Sequence, residues 1–138
     1  MFTWCPNNGD ECNQPIKPIP KSCFLIYSTR EENKEIIQVI EKVCKYNKVL
    51  LRTADRENES KNILCKICEM LQASSFAIVL YTKSTPSISI PNIFYEAGLM
   101  HAQGKNVIFI GWGYKKEELP SDISNLEWIL SDRISDLE

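Results

Sequence analysis

Pro91-Asn92-Ile93-Phe94-Tyr95-Glu96-Ala97-Gly98-Leu99-Met100-His101-Ala102-Gln103-Gly104-Lys105 runs directly into the apolar stretch Asn106-Val107-Ile108-Phe109-Ile110. A proline opens a helix without loss, because its missing N–H would lack an intrahelical partner there. Gly104 takes the left-handed conformation that ends one. At about 100° per residue, Ile93, Ala97 and Met100 form the core stripe of this helix and Glu96 falls on its border. The spacing predicts a short helix followed by a buried strand, with a half-buried carboxylate beside the sheet. Reactivity there is tunable, since burial raises a carboxyl's pKa and the positive end of a helix lowers it.

Working outward, the same alternation repeats. Ser22-Cys23-Phe24-Leu25-Ile26 and its continuation to residue 28 read as strand 1, residues 31 to 47 as a helix, and Val49 to Ala54 as strand 2. Glu59 to Ala73 reads as a second helix with Ile63, Leu64, Ile67, Met70 and Leu71 on one face, and Phe76 to Tyr81 as strand 3. Strand 4 covers 107 to 112. Glu127-Trp128-Ile129-Leu130 reads as a fifth short strand or the start of a last helix. Strands 1, 3 and 4 are nearly continuous apolar runs, as expected when helices cover both faces of a parallel sheet. Right-handed β-α-β crossovers then give an open doubly wound α/β sheet of four to five strands, three-layer and flavodoxin-like. Ligands of such sheets bind beyond the carboxyl ends of the strands, where the strand order reverses.

The chain has 138 residues, enough for one domain. Residues 1–21, with Pro6, Pro15, Pro18 and Pro20, read as an irregular Cys/Pro-rich arm, and 22–138 as the α/β domain. Lys and Arg number 16 and Asp and Glu 18, scattered along the chain for a formal charge of -2, so no basic field favours nucleic acid or an anionic membrane. No apolar run approaches the ~20 residues that span a bilayer, and no secretory signal opens the chain. These features predict a cytoplasmic protein.

Six cysteines are many for such a chain. Cys23 and Cys44 fall on apolar stripes and read as core packing. Cys5 and Cys12 in the arm, with Cys65 and Cys68 away from the stripe centred on Ile67, supply four thiols that packing does not explain. They fit a structural zinc or a pair of disulfides, although the spacing is not that of a zinc ribbon.

The strand ends collect the polar residues. Ser28, Thr29 and Arg30 follow strand 1, where they either hold a phosphate at the start of helix 1 or cap that helix. Asp55 follows strand 2 as an acceptor for a sugar hydroxyl, Thr82 follows strand 3, and Trp112 ends strand 4 as an aromatic face for a base. Asn92 opens the Glu96 helix. Gly98 reads as a site of close packing, and His101 as a core or edge histidine rather than a base.

Pro91 to Gly98, continued by Gly104-Lys105 and an apolar strand, resembles the signature of the nucleoside 2-deoxyribosyltransferase-like and TIR-like nucleotide-binding domains of prokaryotes. Strand 1 and the Arg52 to Asp55 strand end also fit that pattern. The resemblance implies a nucleotide or nucleoside ligand and a Glu, here Glu96, that attacks the sugar's anomeric carbon as the base leaves. It implies no cofactor for that chemistry. Asn92 and Asp55 would contact sugar hydroxyls. Ser74-Ser75 and Ser89-Ile90-Pro91-Asn92 stand where the transferases carry acidic residues, so the acid that assists the leaving base is not supplied there. The alternative reading is a non-catalytic nucleotide sensor or self-associating TIR-like signalling module, in which homo-oligomer assembly carries the output.

Overall fold

The computed structural model describes residues 9, 16–28, 33–53, 63–83, 85, 87–119, 126 and 128–131, without the side chains of 63–66. Strands and helices alternate as β1 (Ser22–Ile26), α1 (Lys34–Tyr46), β2 (Leu50–Thr53), α2 (Ile63–Ala73), β3 (Phe76–Thr82), α3 (Ile90–Ala102) and β4 (Asn106–Trp112). After a 3-10 turn at Lys116–Glu118 comes β5 (Trp128–Ser131). The segment with two sequence readings, around Trp128, is therefore a strand. Every pairing is parallel and the sheet order is β2-β1-β3-β4-β5. This is the expected open doubly wound sheet, and its strand order reverses between β1 and β3.

Strand alternation divides the core into two layers. Cys23 and Leu25 of β1, Ile78 and Leu80 of β3, and Ile110 of β4 pack under Ile36, Ile37, Ile40 and Cys44 of α1. Phe24, Ile26, Ala77, Val79 and Phe109 point the other way, against Ile67 and Leu71 of α2 and Ile93, Ala97 and Met100 of α3. The helical stripe read from sequence is buried throughout, with Ile93 and Met100 at 0% exposure. Charge supports α1 as well, with Glu35 in its first turn and Lys45 in its last. The helix stops at Asn47, whose Nδ2 donates to Val43 O at 2.9 Å, and Lys48 turns the chain with φ 58°.

Side chains stitch the helix ends to the amino edge of the sheet. Ile19 N donates to Ala73 O at 2.8 Å, and the hydroxyls of Ser22 and Ser75 both donate to Ile19 O. Ser74 Oγ donates to Met70 O at 2.8 Å. Thus residues 16–21 lie against the end of α2, while the rest of the arm, apart from Gly9, is outside the described residues.

Unequal strand lengths shape the opposite edge. Ile26, the last residue of β1, pairs with Val79, whereas β3 continues to Thr82 beside Trp112 of β4. At β1 the sheet therefore stops three residues short of its neighbour, leaving a notch at the reversal of strand order.

Candidate functional site

Helix α3 runs antiparallel to the strands, so its first turn lies at their carboxyl edge. Phe94 on one flank packs edge-on against Tyr81 at 5.1 Å, and His101 on the same flank has its ring 5.8 Å from Phe109. That flank faces Tyr81 of β3 and Phe109 of β4. Asn92 and Glu96, four residues apart on the opposite flank, face β1 and α2. Glu96 is the seventh residue of α3, about 9 Å below its start. The midpoint of this helix is level with the middle of β3, which is where β1 ends. Glu96 therefore stands beside the notch, and the tilt of helical Cα–Cβ bonds aims its side chain back toward the carboxyl edge. It is only 4% exposed, deeper than the half-buried position that the stripe alone predicts. Asn92, one turn above it, is exposed.

Ser28 lies two residues beyond Ile26 at the exit of β1, and its Oγ is buried without a hydrogen-bond partner among the described residues. Asn33 is 1% exposed at the start of α1 and its side chain makes no cap hydrogen bond. Ser28 and Asn33 thus flank the carboxyl end of β1, Asn33 at the start of α1 on one face of the sheet, with Asn92 and Glu96 on α3 on the other. Thr29, Arg30 and Asp55 lie outside the described residues.

Thr82 and Trp112 end β3 and β4 side by side at the carboxyl edge, as the sequence predicts, and their side chains take the α1 face. Thr82 is engaged in a turn, its Oγ1 3.1 Å from Thr85 Oγ1 and its N–H donating to the same atom at 3.2 Å. Trp112 packs with the α1 layer, on the opposite face of the sheet from Glu96, because it is two residues from Ile110 along β4 and so shares its face. The α3 face carries Tyr81, Phe94, Tyr114 and Trp128 beside the core residues Phe24 and Phe109. Tyr114 stacks on Tyr81 at 4.4 Å and donates its hydroxyl to Thr82 O at 3.2 Å. Burial, followed by the contact with Tyr81, raises its pKa well above the ordinary phenol value. Lys83 lies 5.5 Å from the centre of the Tyr114 ring and pairs with Glu118 at 2.6 Å. The hydrogen bond from Lys83, then that from the backbone of Lys115, holds the Glu118 carboxyl below the ordinary range. This cluster lies at the carboxyl ends of β3 and β4.

Several smaller readings also change. His101 is exposed, an edge residue rather than a core one. A Cβ at Gly98 would meet nothing within 4 Å, whereas one at Gly111 would lie 2.6 Å from Leu130 Cδ2, so the close approach is at Gly111. Ser74 and Ser75 precede β3 at the amino edge, the edge opposite the carboxyl ends of the strands.

The cysteines divide as follows. Cys23, Cys44 and Cys68 are buried thiols outside any disulfide. Cys68 is 6% exposed and its sulfur accepts a hydrogen bond from Gln72 Nε2 at 3.3 Å, which corrects the expectation that packing does not explain it. Cys5, Cys12 and the side chain of Cys65 lie outside the described residues. Among the described residues no group of three or more metal-ligating side chains occurs, and no helix is long and apolar enough to cross a membrane.

The chain is similar in structure to a CMP N-glycosidase, BcmB, from Clostridium botulinum. The two superpose with a TM-score of 0.59 over 83% of this chain and 92% of that one, at 13% sequence identity. At that identity the likeness is one of fold. No family model and no curated protein matches the chain in sequence.

Asn33 and the Gln72–Cys68 pair were missed by sequence reasoning. Asn33 carried a signal, as a cap-forming residue three positions before Ile36. The Gln72–Cys68 pair gave only its i, i+4 spacing, which says nothing about which neighbour it faces.

Proposed function

We propose that this chain cleaves or transfers the N-glycosidic bond of a nucleoside-type small molecule bound in the notch at β1, with Glu96 as the carboxylate at the sugar. Residues 22–138 are the domain that carries the reaction and 1–21 an arm. The observation that carries this reading is the position of Glu96: a buried carboxylate beside the switch in strand order, on a helix flank that also presents Asn92. The fold shared with a CMP N-glycosidase supports the same class of chemistry.

Loss of the base leaves positive charge on the anomeric carbon, and a carboxylate stabilises that charge or bonds to it. In the covalent form a Glu96 oxygen bonds to the anomeric carbon as the C–N bond breaks, and the base leaves with the electron pair and takes up a proton. Water or a second base then displaces the glutamate. Asn92 at the rim contacts a sugar hydroxyl, and Ser28 at the β1 exit contacts the ligand through its buried Oγ.

Purified protein incubated with NAD, deoxynucleosides and CMP, with released base followed by chromatography, tests the reading. The expected result is release from one of these classes, with Glu96→Gln lowering it by at least about 10²-fold at unchanged melting temperature. Equal release from the Glu96→Gln protein, or none from any substrate, overturns it.

A further inference from the structure

Helices α2 and α3 lie side by side on one face of the sheet and run in the same direction. In α3 the residues that follow core positions lie on the flank away from α2, as Phe94 after Ile93 and His101 after Met100 do in reaching Tyr81 of β3 and Phe109 of β4. The equivalent residues of α2 are Cys68 after Ile67 and Gln72 after Leu71, so this pair faces α3. Glu96, on the other flank of α3, faces α2.

Their heights also agree. Phe76 pairs with Asn106, α2 ends three residues before Phe76, and α3 ends four before Asn106, so the two helices finish level. Lys105 Nζ ties these ends together through Leu71 O and Gln72 O, each at 2.7 Å. Counting back from the common level, Cys68 and Glu96 stand at nearly the same height on facing flanks. All three side chains of the seam are buried: Gln72 at 3%, Cys68 at 6% and Glu96 at 4%.

We infer that Cys68 is a positioning residue for Glu96, with Gln72 holding the sulfur so that the thiol hydrogen points across the seam to the carboxylate. Gln72 Nε2 donates to Cys68 Sγ, which occupies the acceptor side of the sulfur and leaves its S–H to donate elsewhere. A hydrogen bond to a carboxylate is the strongest use of a weak donor, and a buried carboxylate requires such donors. The consequence is orientation: one carboxylate oxygen is fixed toward α2 and the other is turned to the notch. The catalytic consequence rests on the reading of Glu96 given above, but the hydrogen bond does not.

Two measurements separate these. The infrared S–H stretching band of Cys68, isolated by subtracting the spectrum of Cys68→Ser, reports the hydrogen bond in the absence of any substrate. The expected result is a band lowered in frequency in the parent protein that rises in the Glu96→Gln background. A band at the same position in both overturns the inference. In the base-release assay, Cys68→Ala is expected to lower kcat about tenfold at unchanged KM and to displace the acid limb of the pH–rate profile, with Cys68→Ser restoring both. A superimposable pH profile for Cys68→Ala overturns the positioning role. Absence of base release from the parent protein defeats the proposed function alone, and the infrared result still decides whether Cys68 holds Glu96.

Discussion

Lys105 reaches from the turn after α3 to Gln72 at the end of α2, where its ammonium donates to Gln72 O and to the adjacent Leu71 O. Those carbonyls are among the last of their helix and lack intrahelical donors, and the negative end of the helix favours a cation there. Burial lowers the pKa of the ammonium, so desolvation offsets part of the gain. Lys105→Met is expected to destabilise the fold by about 1–2 kcal/mol in urea unfolding, because it leaves both carbonyls without their donor. An unchanged midpoint would show that desolvation cancels the bonds.

Asn92 is exposed one turn above the buried Glu96 and has no structural task in the described core. A rim residue that contacts the sugar equally in ground and transition states contributes uniform binding. Asn92→Ala should therefore raise KM about tenfold and leave kcat nearly constant, with no change in melting temperature. The check is a full saturation curve on whichever substrate releases base.

Burial pushes the Cys23 thiol from an ordinary 9.0 up to about 12, with the neighbouring Cys44 adding to the shift and a backbone hydrogen bond at Ile78 opposing it. Burial also raises Cys44. A raised folded pKa means that the contribution to stability is complete below about 9 and is lost as pH rises toward about 12, because the unfolded thiol ionises first. Peptide mapping after alkylation at pH 8 should find Cys23 and Cys44 unmodified in the folded protein. Denaturation midpoints should fall as pH rises above about 9, and less so in Cys23→Ala.

Gly111 lies under β5, where an added methyl group would collide with Leu130 and crowd the Trp128 ring, whose Cε3 would be 3.2 Å away. Leu130 is a flexible chain end and yields, but Trp128 is stacked on Phe109 at 4.8 Å and does not move without disturbing the α3 layer. Gly111→Ala is expected to cost about 1–3 kcal/mol and to alter the near-ultraviolet circular dichroism of the aromatic cluster. Gly98→Ala, in open space on a helix, is expected to stabilise by about 0.5–1 kcal/mol. The opposite signs, measured side by side by thermal unfolding, check both.

Local periodicity carried a large part of the fold. The stripe Ile93, Ala97 and Met100, the proline-to-glycine bracket around it and the apolar strands are each encoded within a few residues, and handedness then limits the ways such units join. The placement of Glu96 on the border of that stripe followed from the same spacing. The depth of Glu96 did not, because it depends on α2 lying alongside.

Sequence by itself determined that this protein is a parallel α/β sheet with an acidic residue near the edge of a core stripe, since hydrophobic spacing and turn chemistry act over short range. Only the tertiary structure decided that β1 ends early beside Glu96, that Trp112 belongs to the other face, and that Gln72 and Cys68 line the seam. Strand register and helix neighbours are set by contacts between segments far apart in the chain, and no short-range pattern encodes which surfaces meet.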